Sequence, residues 1–147
     1  MAEHNIIGQK GEQIAVETMR KKGFRVVDTN WKFGHLEMDV IAVNRKEIAF
    51  VEVKTRTSSF GDKRPEEFVD ELKQRRMAAA ANAYIKIHQI ELVPRFDIIG
   101  ISMDPNTHEV KELTHLEDAF LPPQRTIGKS SFSGQGRWKH RGRVIGK

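Results

Sequence analysis

Two apolar runs joined by a short polar turn constrain this chain most, because both carry charges that an ordinary buried strand would exclude. The first run is Leu36–Val43 (LEMDVIAV), the second is Glu47–Lys54 (EIAFVEVK), and Asn44, Arg45 and Lys46 lie between them. Enrichment in Val, Ile and Phe on both sides of a polar turn predicts a β-hairpin. Side chains alternate faces along a strand, so Glu37 and Asp39 share one face, as do Glu52 and Lys54. If Val43 pairs with Ile48, Asp39 falls opposite Glu52 and Glu37 opposite Lys54. Opposed residues have Cβ atoms about 4.5–5.5 Å apart, so three carboxylates and an ammonium crowd one patch.

Two carboxylates about 5 Å apart repel by roughly 3 kcal/mol at an effective dielectric near 20. Such a pair needs a bound proton, neighbouring cations or a divalent metal between the oxygens. Few carboxylates with hard oxygen donors suit Mg²⁺ (or Mn²⁺), which keeps waters and shares sites with phosphate oxygens. The backbone carbonyl of Val53 offers a further oxygen beside Asp39 and Glu52. Lys54 would then orient or deprotonate a water while the metal stabilises charge on phosphorus. A cross-strand ion-pair cluster on a solvated sheet face is the alternative reading of the same four residues.

With 31% of residues charged, an acid, an acid and a lysine in loose register carry little weight as a string. The chain supplies its own controls. Glu71-Leu-Lys73 lies in a helical pattern, where residues two apart diverge. Glu109-Val-Lys111 follows Asp97, but a turn at Asp104–Thr107 that pairs Met103 with His108 puts Ser102, not Asp97, opposite Glu109. Only the hairpin copy has strand context, apolar flanks and a facing acid.

These residues carry a resemblance. GQKGE at Gly8–Glu12, LEMDVIAV, FVEVKTR at Phe50–Arg56, FG at Phe60–Gly61 and RFD at Arg95–Asp97 resemble the YraN-like family of uncharacterised bacterial proteins. That family is similar in fold to the restriction-endonuclease-like (PD-(D/E)xK) nucleases and to the archaeal Holliday junction resolvases. The match spans roughly residues 8 to 118. It implies an α/β fold, a mixed sheet flanked by helices with an αβββαβ core. It also implies Asp39, Glu52 and Lys54 as catalytic acid, acid and lysine, with Glu12 as a further acid near the metal; Glu37, on the same patch, is expected to assist, with Mg²⁺ or Mn²⁺ as cofactor. Branched DNA as substrate rests on this resemblance alone. Met38 stands where the superfamily's proline would precede Asp39.

The remaining chain is read around that hairpin. Its length suits one domain with a real core. The chain has no cysteine, so thiolate sites and disulfides are excluded. No apolar run is long enough to span a bilayer and no signal sequence opens the chain, so the expected location is the cytoplasm. Ile6–Lys22 reads as a helix whose apolar stripe is Ile7, Ile14, Ala15 and Met19, stopped by Gly23. Phe24–Phe33 reads as a strand, and Glu71–Ile87 as a helix capped by Asp70. Arg95–Met103 is a strand laid parallel to the second hairpin strand by a crossover. His108–Leu113 is expected as an edge strand and His115–Phe120 as a short last helix.

The net charge of +5 is unevenly placed. Seven of the 25 basic residues and none of the 20 acids lie beyond residue 120, so residues 1–120 carry a net of −2. The expected division is a domain at 1–120 and a basic tail at 121–147 whose Gly, Ser and charge content predicts disorder. Arg56 and Lys73, with Arg137, Trp138, Lys139, Arg141 and Arg143 of the tail, are the candidate nucleic-acid contacts; Trp138 would stack on bases. DNA is the expected partner, and these residues do not distinguish it from RNA. A symmetric two-strand cut would further require a homodimer. Two other readings stay open: a nucleic-acid-binding module without catalysis, and an interaction module whose charge cluster is structural.

Overall fold

The computed structural model describes residues 2–58, 67 and 69–121, with side chains from Ile6 onward. Seven elements follow one another: α1 (Ala2–Lys21), β1 (Arg25–Phe33), β2 (Leu36–Val43), β3 (Glu47–Arg56), α2 (Glu71–His88), β4 (Val93–Met103) and β5 (Val110–Phe120). The five strands form one sheet in sequence order. Neighbours are antiparallel except β3 and β4, which are parallel and joined through α2. The fold is therefore a mixed α/β sheet flanked by helices, as expected.

Alternation along the central strands explains why one helix lies on each face. On β3, Ile48 and Phe50 join Met77, Ala78, Ala81 and Tyr84 of α2, whereas Ala49 and Val51 join Ala15 and Met19 of α1. Strand β4 splits likewise, Phe96 and Ile98 one way, Ile99 and Ile101 the other. Strands covered on both faces read as continuous apolar runs rather than alternating ones. Small residues on α2 bring it close to the sheet, and Trp31, Tyr84, Phe50, Phe96 and Phe120 form a chain of ring contacts beneath it. The Tyr84 hydroxyl donates to Asp28 at 2.9 Å; burial and that carboxylate push its proton affinity well above the usual phenol.

The helix ends behave as their residues predict. Gly23 adopts φ 93° while its N–H donates to Arg20 and the Phe24 N–H to Met19, each at 3.0 Å, closing α1. Asp70 caps α2 by accepting from the Lys73 N–H at 2.8 Å. Among the described residues no helix is long and apolar enough to cross a membrane.

Two expectations fail beyond β4. The hairpin closes wider than the Met103–His108 pairing predicts: Met103 faces Val110 and Ser102 faces Glu112. Asp104 causes this, because its carboxylate accepts from the Asn106 and Thr107 N–H groups while its own N–H donates to the Glu109 carbonyl. His108 takes up the turn at φ 63°. Residues 115–120 are not a helix either; they continue β5 along the exposed edge of β4. Asp97 fastens them there, accepting from the Asp118 N–H at 3.0 Å and meeting the His115 ring at 2.8 Å.

Candidate functional site

The hairpin register is as the turn predicts, with Val43 facing Ile48, but the ladder between β2 and β3 stops at Val40 and Val51. Beyond that point Asp39 and Glu52 are not ladder partners, which corrects the simple extension of the register. Instead the Asp39 carboxylate accepts the Val53 N–H at 2.9 Å, a side chain taking the role of the next backbone acceptor. A strand residue aims its N–H and C=O at the same edge, so the Val53 carbonyl faces the same gap. Asp39 also lies against Glu52, which is only 7% exposed. The two acids meet through this opening of the strands rather than across a continuous ladder.

Burial is the largest cause of a shift that takes Asp39 up to about 7, with the charges of Glu52 and then Glu12 adding to it. The Val53 bond and the charge of Lys73 act the other way. Glu52 is likewise held above the usual carboxylate range, first by burial, against the pull of Lys73 and then Lys54. Both acids therefore hold a proton more tightly than a free carboxylate does, since two desolvated carboxylates in contact do not both ionise easily.

Three elements supply the surroundings. On α1, Gly11 lies so close to β3 that a Cβ there would sit 2.1 Å from the Thr55 hydroxyl oxygen. This contact carries Glu12 to the site, where Asn30 of β1, at φ 51°, donates to it at 2.8 Å. On α2, Lys73 reaches from the first helical turn to Glu52, Nζ to Oε2 3.3 Å. Lys54, half-buried on β3, acts on Glu52 through its charge.

Other expected residues lie elsewhere. Glu37 is exposed and faces Lys32 on β1, not Lys54, because β2 has left β3 by that point and pairs only with β1. Arg56 is half-buried opposite Ser102 and engaged within the fold. Phe60, Gly61, Arg137, Trp138, Lys139, Arg141 and Arg143 lie outside the described residues.

Among the described residues no three His, Cys, Asp or Glu side chains gather into a preformed metal cluster. The donors at the gap are a carboxylate pair with a backbone carbonyl. Sequence reasoning gave Lys73 as a candidate nucleic-acid contact and missed its contact with Glu52. A signal for it existed in the connectivity, since a crossover helix starts from the end of the strand it follows.

A second polar cluster differs in kind. Fully buried Asp97 meets Arg95 at 3.0 Å, as their shared face predicts, together with His115 and the Asp118 N–H. Arg95 also pairs with Glu47 at 3.1 Å and stacks over Phe24, and Lys22 joins His115 to Glu117. Here charges are matched by opposite charges, so the cluster ties α1, β3, β4 and β5 together as an internal clamp. The Asp39–Glu52 pair instead sets one carboxylate against another, with Lys73 on Glu52.

Comparison with known proteins follows the same residues. A family model described as "Uncharacterised protein family UPF0102" matches residues 11–101. A UPF0102 protein of Parabacteroides distasonis is 42% identical over 125 residues, 85% of this chain and 100% of that one. Another from Bacteroides thetaiotaomicron is 40% identical over 123 residues, 84% of this chain and 98% of the relative. One from Porphyromonas gingivalis is 38% identical over 120 residues, 82% and 87% of the two chains.

Proposed function

The chain belongs to the UPF0102 family, and we propose that it is a divalent-metal-dependent nuclease of the restriction-endonuclease-like fold that hydrolyses phosphodiester bonds in DNA. One observation carries this reading: two carboxylates, half-buried Asp39 and buried Glu52, brought together beside Lys73 and Lys54 where β2 and β3 part. The donor set fits Mg²⁺ or Mn²⁺, because hard oxygens from one or two carboxylates leave room for waters and phosphate oxygens. A divalent cation would offset the repulsion between the two carboxylates. Asp39, Glu52 and the Val53 carbonyl would hold the ion, which when bound supplies Lewis-acid stabilisation of charge on phosphorus.

The chain's own groups supply the rest. Lys54 orients the attacking water and offers positive charge to a phosphate oxygen. Glu12, steadied by Asn30, accepts a hydrogen bond from that water. The order αβββα followed by a strand parallel to β3 supports the superfamily reading, as does the family's resemblance to junction resolvases. Branched DNA is therefore the substrate we favour, and a homodimer would be needed to cut it symmetrically.

The test is cleavage of labelled four-way, flapped, linear duplex and single-stranded DNA with Mg²⁺ or Mn²⁺, beside E52Q and K54A proteins. Metal-dependent cutting by the wild type should fall at least about a hundredfold in either variant. Tight, salt-sensitive binding without cutting under either metal would reject catalysis and leave a nucleic-acid-binding module. Neither cutting nor binding would return the carboxylate pair to a structural role.

A further inference from the structure

We infer that Lys73 is a displaceable counter-cation: it occupies Glu52 in the metal-free protein and is released by metal to hold a DNA phosphate. This rests on the metal-binding reading above and adds an order of events to it.

The two ends of the Lys73–Glu52 pair are unlike. The Glu52 side chain is 9% exposed and carried on the central strand β3, whereas the Lys73 side chain is 40% exposed. The Lys73 backbone is pinned at the start of α2 by the Asp70 cap, but its side chain is a flexible four-carbon stem ending in a point charge. Its described neighbours are engaged elsewhere, Arg75 with Glu71 at 2.9 Å and Gln74 with the Val69 carbonyl. The carboxylate is carried on a buried strand, and the ammonium paired with it ends a flexible, partly solvated stem.

An ammonium 3.3 Å from Glu52 Oε2 stands beside the carboxylates that would hold a divalent cation. The two cations repel, so the monovalent, partly solvated one leaves. Lys73 then reaches solvent at the mouth of the site, where a phosphate being brought to the carboxylate pair would pass. Coupling between sites is reciprocal in binding free energy, so DNA that captures Lys73 should also tighten metal binding.

The experiment measures Mn²⁺ affinity by calorimetry for wild type, K73Q and K73R, without nucleic acid. Removing the competing charge should tighten Mn²⁺ binding in K73Q by about fivefold or more, while K73R, which keeps the charge, should stay near wild type; K73R also controls for folding. Binding of a labelled linear duplex is then followed against salt, in EDTA and in Ca²⁺. With Ca²⁺ the salt slope of the wild type should exceed that of K73Q by about 0.9, one phosphate contact, and in EDTA the two slopes should coincide. Mn²⁺ binding in K73Q equal to or weaker than wild type would overturn displacement, as would identical slopes in Ca²⁺. Should none of the three proteins bind Mn²⁺, the metal-binding reading itself fails and this one with it.

Discussion

Asp39 makes a prediction that separates charge from shape. Its folded proton affinity, raised to about 7 from an ordinary 3.8, means that the folded protein binds more protons than the unfolded chain between those values. Stability in chelator should therefore be greatest below about pH 4 from this group and decline as pH rises through about 7. D39N keeps an oxygen for the Val53 N–H and removes the charge, so at pH 8 it should gain about 1–2 kcal/mol over the wild type and lose most of that pH dependence. Denaturant unfolding at several pH values checks this; a D39N protein no more stable than wild type at pH 8 would contradict it. At this scale the two carboxylates and Lys54 were legible in the sequence, because acids are conspicuous in apolar strands. Lys73 and Asn30 were not, since their partners lie 21 and 18 positions away and local periodicity says nothing about such contacts.

Among the elements, α1 is held to β3 by an absence of side chain. Ala at position 11 improves intrinsic helix propensity by up to about 1 kcal/mol, yet its Cβ would sit 2.1 Å from the Thr55 hydroxyl oxygen and 3.1 Å from two further side-chain atoms. Overpacking of this kind costs about 1–3 kcal/mol, so the clash should win and G11A should lower the unfolding midpoint. Adding T55A should restore much of the loss, because the two changes share one contact; an uncompensated double variant would refute the steric account. Strand β2, its turn and α2 with its Asp70 cap could be read almost to the residue, each having its own periodicity and stop signal. Strand β5 could not. Its last six residues look polar enough for a surface helix, and only buried Asp97 and the open edge of β4, both distant in sequence, draw them into the sheet.

For the whole molecule the division of charge carries the prediction. The chain has a net charge of +5, but without residues 122–147 it would be −2, so on the proposed reading the segment beyond the sheet domain would supply most of any long-range attraction to DNA. A chain ending at Leu121 should bind DNA more weakly, with a salt slope flatter by up to about 6, if each of the seven basic residues meets one phosphate. Fluorescence anisotropy over a salt series measures this, and an unchanged slope would assign DNA contact to the domain itself. The sheet also has two outer edges, β1 and β5, and each carries a left-handed residue within the strand, Asn30 at φ 51° and Asp118 at φ 52°, along with a register shift. Kinked, charged margins make poor templates for another sheet. Among the described residues, then, both margins of this open sheet discourage the addition of a further strand.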